Sequence, residues 1–268
     1  MPLLHVGNVD LYYEIHGEGS TLLMINGLGS SVEMWSPFWK HLAERLRVIL
    51  FDNVGVGRST VPEAPLTIRG MAQHTAGLLD ALDIPPTFVY GASMGGMIAQ
   101  QLTLDYPQKV RALVLGMTTC GGPHSILPGP DTMARMAKVG SPPPGTSVAE
   151  LLWSLVYTPE FLEAHRSELA REAGAVRFPT TTQGYRLQAE AAMAFNVYDR
   201  LPEIRVPTLV MAGSRDELMP PKNAEIIASR IPGARRRIFE GAAHAFTRER
   251  SEESVGAILE FLESVEKS

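Results

Sequence analysis

The segment Gly91-Ala92-Ser93-Met94-Gly95-Gly96 follows the apolar run 87–90 and opens a helix-period stretch at 94–106. A G-x-S-x-G pentapeptide between a strand and a helix is a nucleophile elbow, a sharp turn that lifts the serine hydroxyl above a sheet. Small neighbours are required because the strand and helix backbones crowd that turn. The helix start adds oriented N–H groups and a positive dipole end beside a developing oxyanion. A glycine-rich turn that merely packs a helix on a strand has the same letters. Its position after a buried strand favours chemistry.

A serine hydroxyl is a weak nucleophile until a base takes its proton, and the base needs a third group to fix its tautomer. His244 lies in Glu240-Gly241-Ala242-Ala243-His244-Ala245-Phe246, just beyond the strand-like run 236–239. The buried run 208–212 leads into Gly213-Ser214-Arg215-Asp216-Glu217, which offers two adjacent carboxylates. Asp216 is the preferred acid, and adjacency sends the side chain of its competitor Glu217 elsewhere. The other histidines are less well placed. His5 and His16 fall in a leading hairpin, His41 and His74 on covering helices, and His124 and His165 in an insertion. An oxyanion formed by attack needs two donors. The amide of Met94, directly after the nucleophile, is one. The glycine-flanked turn Ile25-Asn26-Gly27-Leu28-Gly29 supplies the other, assigned to Leu28.

The elements that must position these groups can be read from periodicity. Short apolar runs at 21–25, 47–51, 87–90, 110–115, 208–212 and 236–239 lack alternation, as strands buried on both faces require. Runs 3–6 and 9–15 flank Gly7-Asn8 and predict an antiparallel hairpin. Helical spacing is seen at 34–46, 67–82, 94–106, 222–230 and 252–265. Strands alternating with helices predict a mostly parallel sheet covered on both faces. The rhythm breaks between 118 and 201, which opens with Gly121-Gly122-Pro123 and contains Pro142-Pro143-Pro144-Gly145. Four helices are expected there, at 132–138, 148–157, 159–173 and 182–195. Such a block, inserted between two strands, predicts a helical lid (119–200) over a core made of 1–118 and 201–268.

Together these residues resemble the α/β-hydrolase family over essentially the whole chain. Further landmarks are Asp52-Asn53-Val54-Gly55-Val56-Gly57-Arg58-Ser59 and the extended elbow Gly91 to Gln100, similar to its esterase, lactonase and carbon–carbon hydrolase branch. The resemblance implies an eight-stranded sheet with a helical cap after the sixth strand, no cofactor, no metal, and a chain order of serine, acid, histidine. Its Gly-x-x-Asp spacing supports Asp216. Asn26 stands where the family commonly has histidine and Val54 where arginine is frequent, departures that bear on substrate preference. Ser93 argues against the dehalogenases and epoxide hydrolases of the family, which carry aspartate there. The activity implied is hydrolysis of carboxylic esters of small to medium groups through Ser93, His244 and Asp216. Lactone or carbon–carbon cleavage, perhydrolysis, and a ligand receptor without turnover are the alternatives.

Composition narrows the field. The 268 residues carry 24 Lys+Arg against 29 Asp+Glu, a net charge of −5 that disfavours a nucleic-acid partner. Arg235-Arg236-Arg237 is the one basic cluster, explained by alternation on a solvated strand. One cysteine, Cys120, forbids an internal disulfide. The start Met1-Pro2-Leu3-Leu4-His5 has no signal-peptide pattern, and no apolar run approaches the ~20 residues of a membrane span, so a cytoplasmic protein is expected. The partner expected is a small ester or lactone, and a homo-oligomer is compatible with the composition. Five arginines of the insertion, Arg135, Arg166, Arg171, Arg177 and Arg186, are candidate binders of a substrate carboxylate. Met133, Met136, Trp153, Leu155, Tyr157, Phe161 and Phe195 are candidates for an apolar pocket or lid core.

Overall fold

The computed structural model describes residues 3–35, 37–140 and 143–267. Met1 and Pro2 of the amino-terminal segment and Pro142 of the proline run lie outside the described residues.

Eight strands form one sheet: β1 (Leu3–Val6), β2 (Val9–His16), β3 (Thr21–Ile25), β4 (Arg47–Phe51), β5 (Thr87–Ala92), β6 (Val110–Gly116), β7 (Thr208–Gly213) and β8 (Arg235–Phe239), in the order β1-β2-β4-β3-β5-β6-β7-β8. The hairpin turns at Gly7-Asn8, which leaves Val6 opposite Val9. β2 pairs antiparallel with β4, and every pairing beyond that is parallel. The carboxyl ends of β3 through β8 therefore share one edge.

The helices are α1 (Phe38–Ala43), α2 (Ile68–Ala81), α3 (Met94–Asp105), α4 (Pro130–Gly140), α5 (Val148–Val156), α6 (Pro159–Ala175), α7 (Thr182–Met193), α8 (Lys222–Arg230), α9 (Phe246–Glu249) and α10 (Ser251–Glu266). Strand side chains alternate between two cores. Leu23 and Ile25, Ile49 and Phe51, Val89, and Leu113 and Leu115 pack with Met71, Leu79, Ile98, Leu102 and Ile227 of α2, α3 and α8. Leu22, Met24, Val48, Leu50, Phe88, Tyr90 and Val114 pack with Phe38, Leu42, Ile258, Phe261 and Leu262 of α1 and α10. Each fully buried aliphatic contributes about 1.5–3 kcal/mol. Because a one-residue slip would exchange the two cores, the register is strongly specified.

The helix expected at 34–46 is shorter than its periodicity implies. A 3₁₀ turn covers Val32–Met34 and the α-helix starts only at Phe38, with Pro37 as its cap. Proline has no N–H to continue a helical ladder, so it divides the segment. Arg235 and Arg236 are exposed along with Arg237, without alternation, because β8 is the outermost strand. Periodicity also missed the 3₁₀ segment Tyr198–Glu203 and α9, both too short to register.

Helices α4 to α7 all lie between β6 and β7. The chain leaves and re-enters the sheet through an antiparallel neck in which Gly121 bridges Asn196 and the Val197 amide donates to Cys120 at 2.9 Å. Gly121 has φ of 71°, and a Cβ there would overlap the Phe195 carbonyl, so only glycine fits the crossing. Among the described residues no helix is long and apolar enough to cross a membrane.

Candidate active site

Ser93 joins β5 to α3 with φ of 55° and ψ of −120°. That left-handed backbone costs a non-glycine residue about 1–3 kcal/mol and must be held by its surroundings. Its amide donates to Gly116 at 2.9 Å, and its carbonyl accepts from the Thr118 hydroxyl at 2.7 Å and the Gly96 amide at 2.9 Å. A serine at a helix start ordinarily folds its hydroxyl back as a cap. In this backbone it makes no such bond, which leaves the hydroxyl unused. A Cβ on Gly95 would overlap the Ile25 carbonyl, and one on Gly91 the Gly95 carbonyl, so both small residues are sterically required.

Asp216 and His244 meet beyond the ends of β7 and β8. The His244 Nδ1 and Asp216 Oδ2 atoms are 2.8 Å apart, with the carboxylate side chain fully buried and the imidazole 8 % exposed. The other carboxylate oxygen, Oδ1, accepts from the amides of Leu218 at 2.9 Å and Met219 at 2.8 Å. With both oxygens engaged the carboxylate is fixed, and it orients the ring so that Nε2 is left for other work. Glu217 turns away and pairs with Arg135 and Thr132 of α4.

The strand ends are cross-braced. The Met117 amide donates to Met211 at 2.9 Å, Ser214 to Phe239 at 3.0 Å and Arg215 to Ala242 at 2.9 Å. Ser93, Asp216 and His244 thus occupy one braced edge. Asp216 and His244 are in contact, whereas the Ser93 hydroxyl makes no hydrogen bond to His244.

The loop after β3 is bonded at nearly every peptide. The Gly27 amide donates to the Asn26 side chain at 2.9 Å, Asn26 Nδ2 donates to Ser31, and Asn53 Nδ2 donates to the Asn26 carbonyl. Asn26 therefore ties the turn together at the position where histidine is common. The Leu28 amide has no partner within the described protein, and neither does the Met94 amide.

The insertion grips both sides of this edge. Glu249 of α9 accepts from Ala243, the residue before His244, at 2.7 Å and from Thr158 between α5 and α6 at 2.6 Å. The Ala245 amide donates to Val156 at 2.8 Å, and Arg248 pairs with Glu168 and Glu172 of α6. On the other side Gln188 of α7 bridges the loops after β3 and β4. Sequence reasoning singled out neither Glu249 nor Gln188. Gln188 had a signal, being polar within the buried spacing Gly184, Leu187, Gln188 and Ala191 of α7. Glu249 had none, since its partners are backbone amides brought near by folding.

Four of the five insertion arginines are occupied: Arg135 with Glu217, Arg166 with Glu150, Arg177 with Glu33 and Arg186 with Glu190. Met133 and Met136 are exposed, whereas Leu155 and Phe195 are buried. Tyr157 stacks on Phe161, which stacks on His165, and burial pushes the Tyr157 phenol up to about 12, keeping it neutral. His5, His16 and His165 sit beside the carboxylates of Asp10, Glu14 and Glu168, and His124 stacks on Tyr198. Among the described residues no group of three or more His, Cys, Asp or Glu is placed to hold a metal ion.

A strained serine after the fifth strand of an eight-stranded sheet, with an Asp–His pair two and three strands away on the same edge, defines a hydrolase-type architecture. The family model for the alpha/beta hydrolase fold matches residues 20–247, and the chain belongs to that family. A protein of Azorhizobium caulinodans provisionally named carbamate hydrolase RutD is 35% identical over 251 residues, covering 92% of each chain. The poly(3-hydroxyalkanoate) depolymerase of Ectopseudomonas oleovorans is 35% identical over 248 residues, 90% of this chain and 84% of that one. The crystal structure of the enol-lactonase from Burkholderia xenovorans LB400 superposes with a TM-score of 0.84 at 28% identity, covering 97% of this chain and 99% of that one.

Proposed function

We propose that this chain is a serine hydrolase of carboxylic esters with small to medium acyl or alkyl groups. Ser93 is the nucleophile, His244 the general base and acid, Asp216 the orienting carboxylate, and the amides of Leu28 and Met94 the oxyanion donors. The buried 2.8 Å Asp216–His244 pair, on the edge that carries the strained Ser93 turn, supports this reading most directly.

As the Ser93 oxygen attacks the ester carbonyl carbon, its proton passes to His244 Nε2 and the carbonyl π pair moves onto oxygen. The Leu28 and Met94 N–H groups stabilise that oxyanion. Collapse breaks the bond to the alcohol oxygen, which takes the proton from His244 and leaves an acyl-serine. Water, deprotonated by His244, then repeats the attack, releases the carboxylic acid and restores Ser93. In a free enzyme the serine–histidine bond is often unformed and closes with substrate, consistent with an unengaged Ser93 hydroxyl. Helices α4 to α7 act as a cap over this edge.

The named relatives share one chemical feature, a carbonyl bearing an oxygen or nitrogen leaving group. Occupation of Arg135, Arg166, Arg177 and Arg186 by internal carboxylates favours an uncharged ester over a carboxylate-bearing lactone. A chain-length series of p-nitrophenyl esters on wild type and Ser93→Ala tests the reading. Turnover should be highest for short or medium esters and fall by about 10⁶ in kcat in the variant. Near-normal turnover by Ser93→Ala would end it.

A further inference from the structure

Four consecutive peptide planes make up the turn after β3, and each is held by a different group. The plane joining Asn26 to Gly27 is fixed at its carbonyl by Asn53 and at its amide by the Asn26 side chain. The plane joining Gly27 to Leu28 is held at the Gly27 carbonyl, which accepts from Ser30 at 3.2 Å. With no cis bond among the described residues, the Leu28 N–H of that plane points opposite to the held carbonyl.

The remaining two planes are held from the insertion. Gln188 Oε1 accepts from the Gly29 amide at 2.9 Å while its Nε2 donates to Val54 at 2.8 Å, and the side chain is fully buried. The Thr180 hydroxyl donates to the Gly29 carbonyl at 2.6 Å. The Tyr185 ring lies against Gly29 closely enough that a Cβ there would fall 2.8 Å from the ring edge. A turn containing two glycines in three residues has the backbone freedom to rotate its planes. Among the described residues, the one other hydrogen bond to the two planes that follow Leu28 is the local one from the Ser30 amide to the Gly27 carbonyl.

We infer that Gln188 and Thr180 are positioning residues for the oxyanion hole: from α7 and the loop before it they lock the peptides that follow Leu28, so that its amide stays unpaired and ready to donate. This rests on the proposed hydrolase reading. It makes the insertion part of the reaction machinery as well as a cover, because the electrophile-stabilising turn is complete only when α7 is docked. Losing one oxyanion donor outright costs about 10²–10³ in kcat, so loosening one should cost about 10- to 100-fold.

The test is steady-state ester hydrolysis by wild type, Gln188→Met, Thr180→Val, Thr180→Ser and Ser93→Ala, with the inhibition constant of an aryl boronic acid that forms a tetrahedral serine adduct. Gln188→Met and Thr180→Val should lower kcat by about 10- to 100-fold with KM within about twofold, and weaken the boronic acid by a similar factor. Thr180→Ser keeps the hydroxyl and should restore both values. If Ser93→Ala is inactive while the variants keep wild-type kcat, or lose only KM, the positioning role is wrong and the hydrolase reading stands. If Ser93→Ala remains active, the hydrolase reading itself fails. Should Gln188→Met not fold, the Thr180 pair decides alone.

Discussion

The two sides of the strand-end edge follow different rules. On the β7–β8 side the polar groups are paired up to His244 Nε2: both oxygens of Asp216 are occupied, His244 Nδ1 is engaged, and Glu249 ties the preceding amide to the insertion. On the β3–β5 side the Ser93 hydroxyl and the amides of Leu28 and Met94 have no partner, while the groups around them are bonded. Polar groups in folded proteins are normally satisfied, and in the proposed mechanism the substrate supplies the partner that these three lack. One side is finished by folding, and the other is held open by it.

On the paired side, Asp216→Asn should produce the largest effect. An amide facing Nδ1 favours the wrong histidine tautomer, and kcat on a p-nitrophenyl ester should fall by about 10⁴ while the fold persists. A loss under about tenfold would mean that the paired side is only scaffolding.

Gly95→Ala strikes the open side through packing. Its methyl must displace the Ile25 carbonyl, so urea denaturation should show a loss of about 1–3 kcal/mol, or the protein should fail to fold. Unchanged stability would show that the elbow is looser than the contacts imply.

Glu249→Gln is a smaller perturbation. One of the two amides it accepts, from Ala243 or from Thr158, would face an NH₂ group instead of an oxygen. A net loss of about 1–1.5 kcal/mol corresponds to roughly tenfold in kcat if the His244 loop shifts. A wild-type kcat would uncouple that loop from the insertion.

The smallest effect lies at Glu33, beside the open side. Burial acts to raise its carboxyl, but bonds from the Arg177 and Phe178 amides and the Arg177 guanidinium outweigh burial and hold it below its ordinary value. A depressed carboxyl contributes stability above its unfolded-state value, and that contribution is lost as pH falls through the folded value. Glu33→Gln should therefore lower Tm by about 2 °C at neutral pH, and the gap to wild type should close in acid below the ordinary glutamate range. A gap independent of pH would remove the charge from this contact.

The same division governs what could be read from the residues alone. The elbow at Ser93, the strand ends carrying Asp216 and His244, and the four inserted helices all announce themselves through apolar runs and glycine placement. Those signals are local. The segment at 34–46 misled because apolar spacing ran through Pro37. Thr180 and Glu249 are illegible as participants, and Gln188 shows only as a polar residue on a buried helix face, because their partners are backbone groups, most of them 91 to 159 residues away, which leave no pattern in side-chain identity.

The most direct measurement is peptide mapping by mass spectrometry after exposure to a fluorophosphonate, on wild type and on His244→Ala. One phosphonyl group should appear on Ser93 of the wild type, and labelling of the variant should be slower by several orders of magnitude. A label on any other residue, or equal labelling of Ser93 without His244, would contradict a serine activated by that histidine.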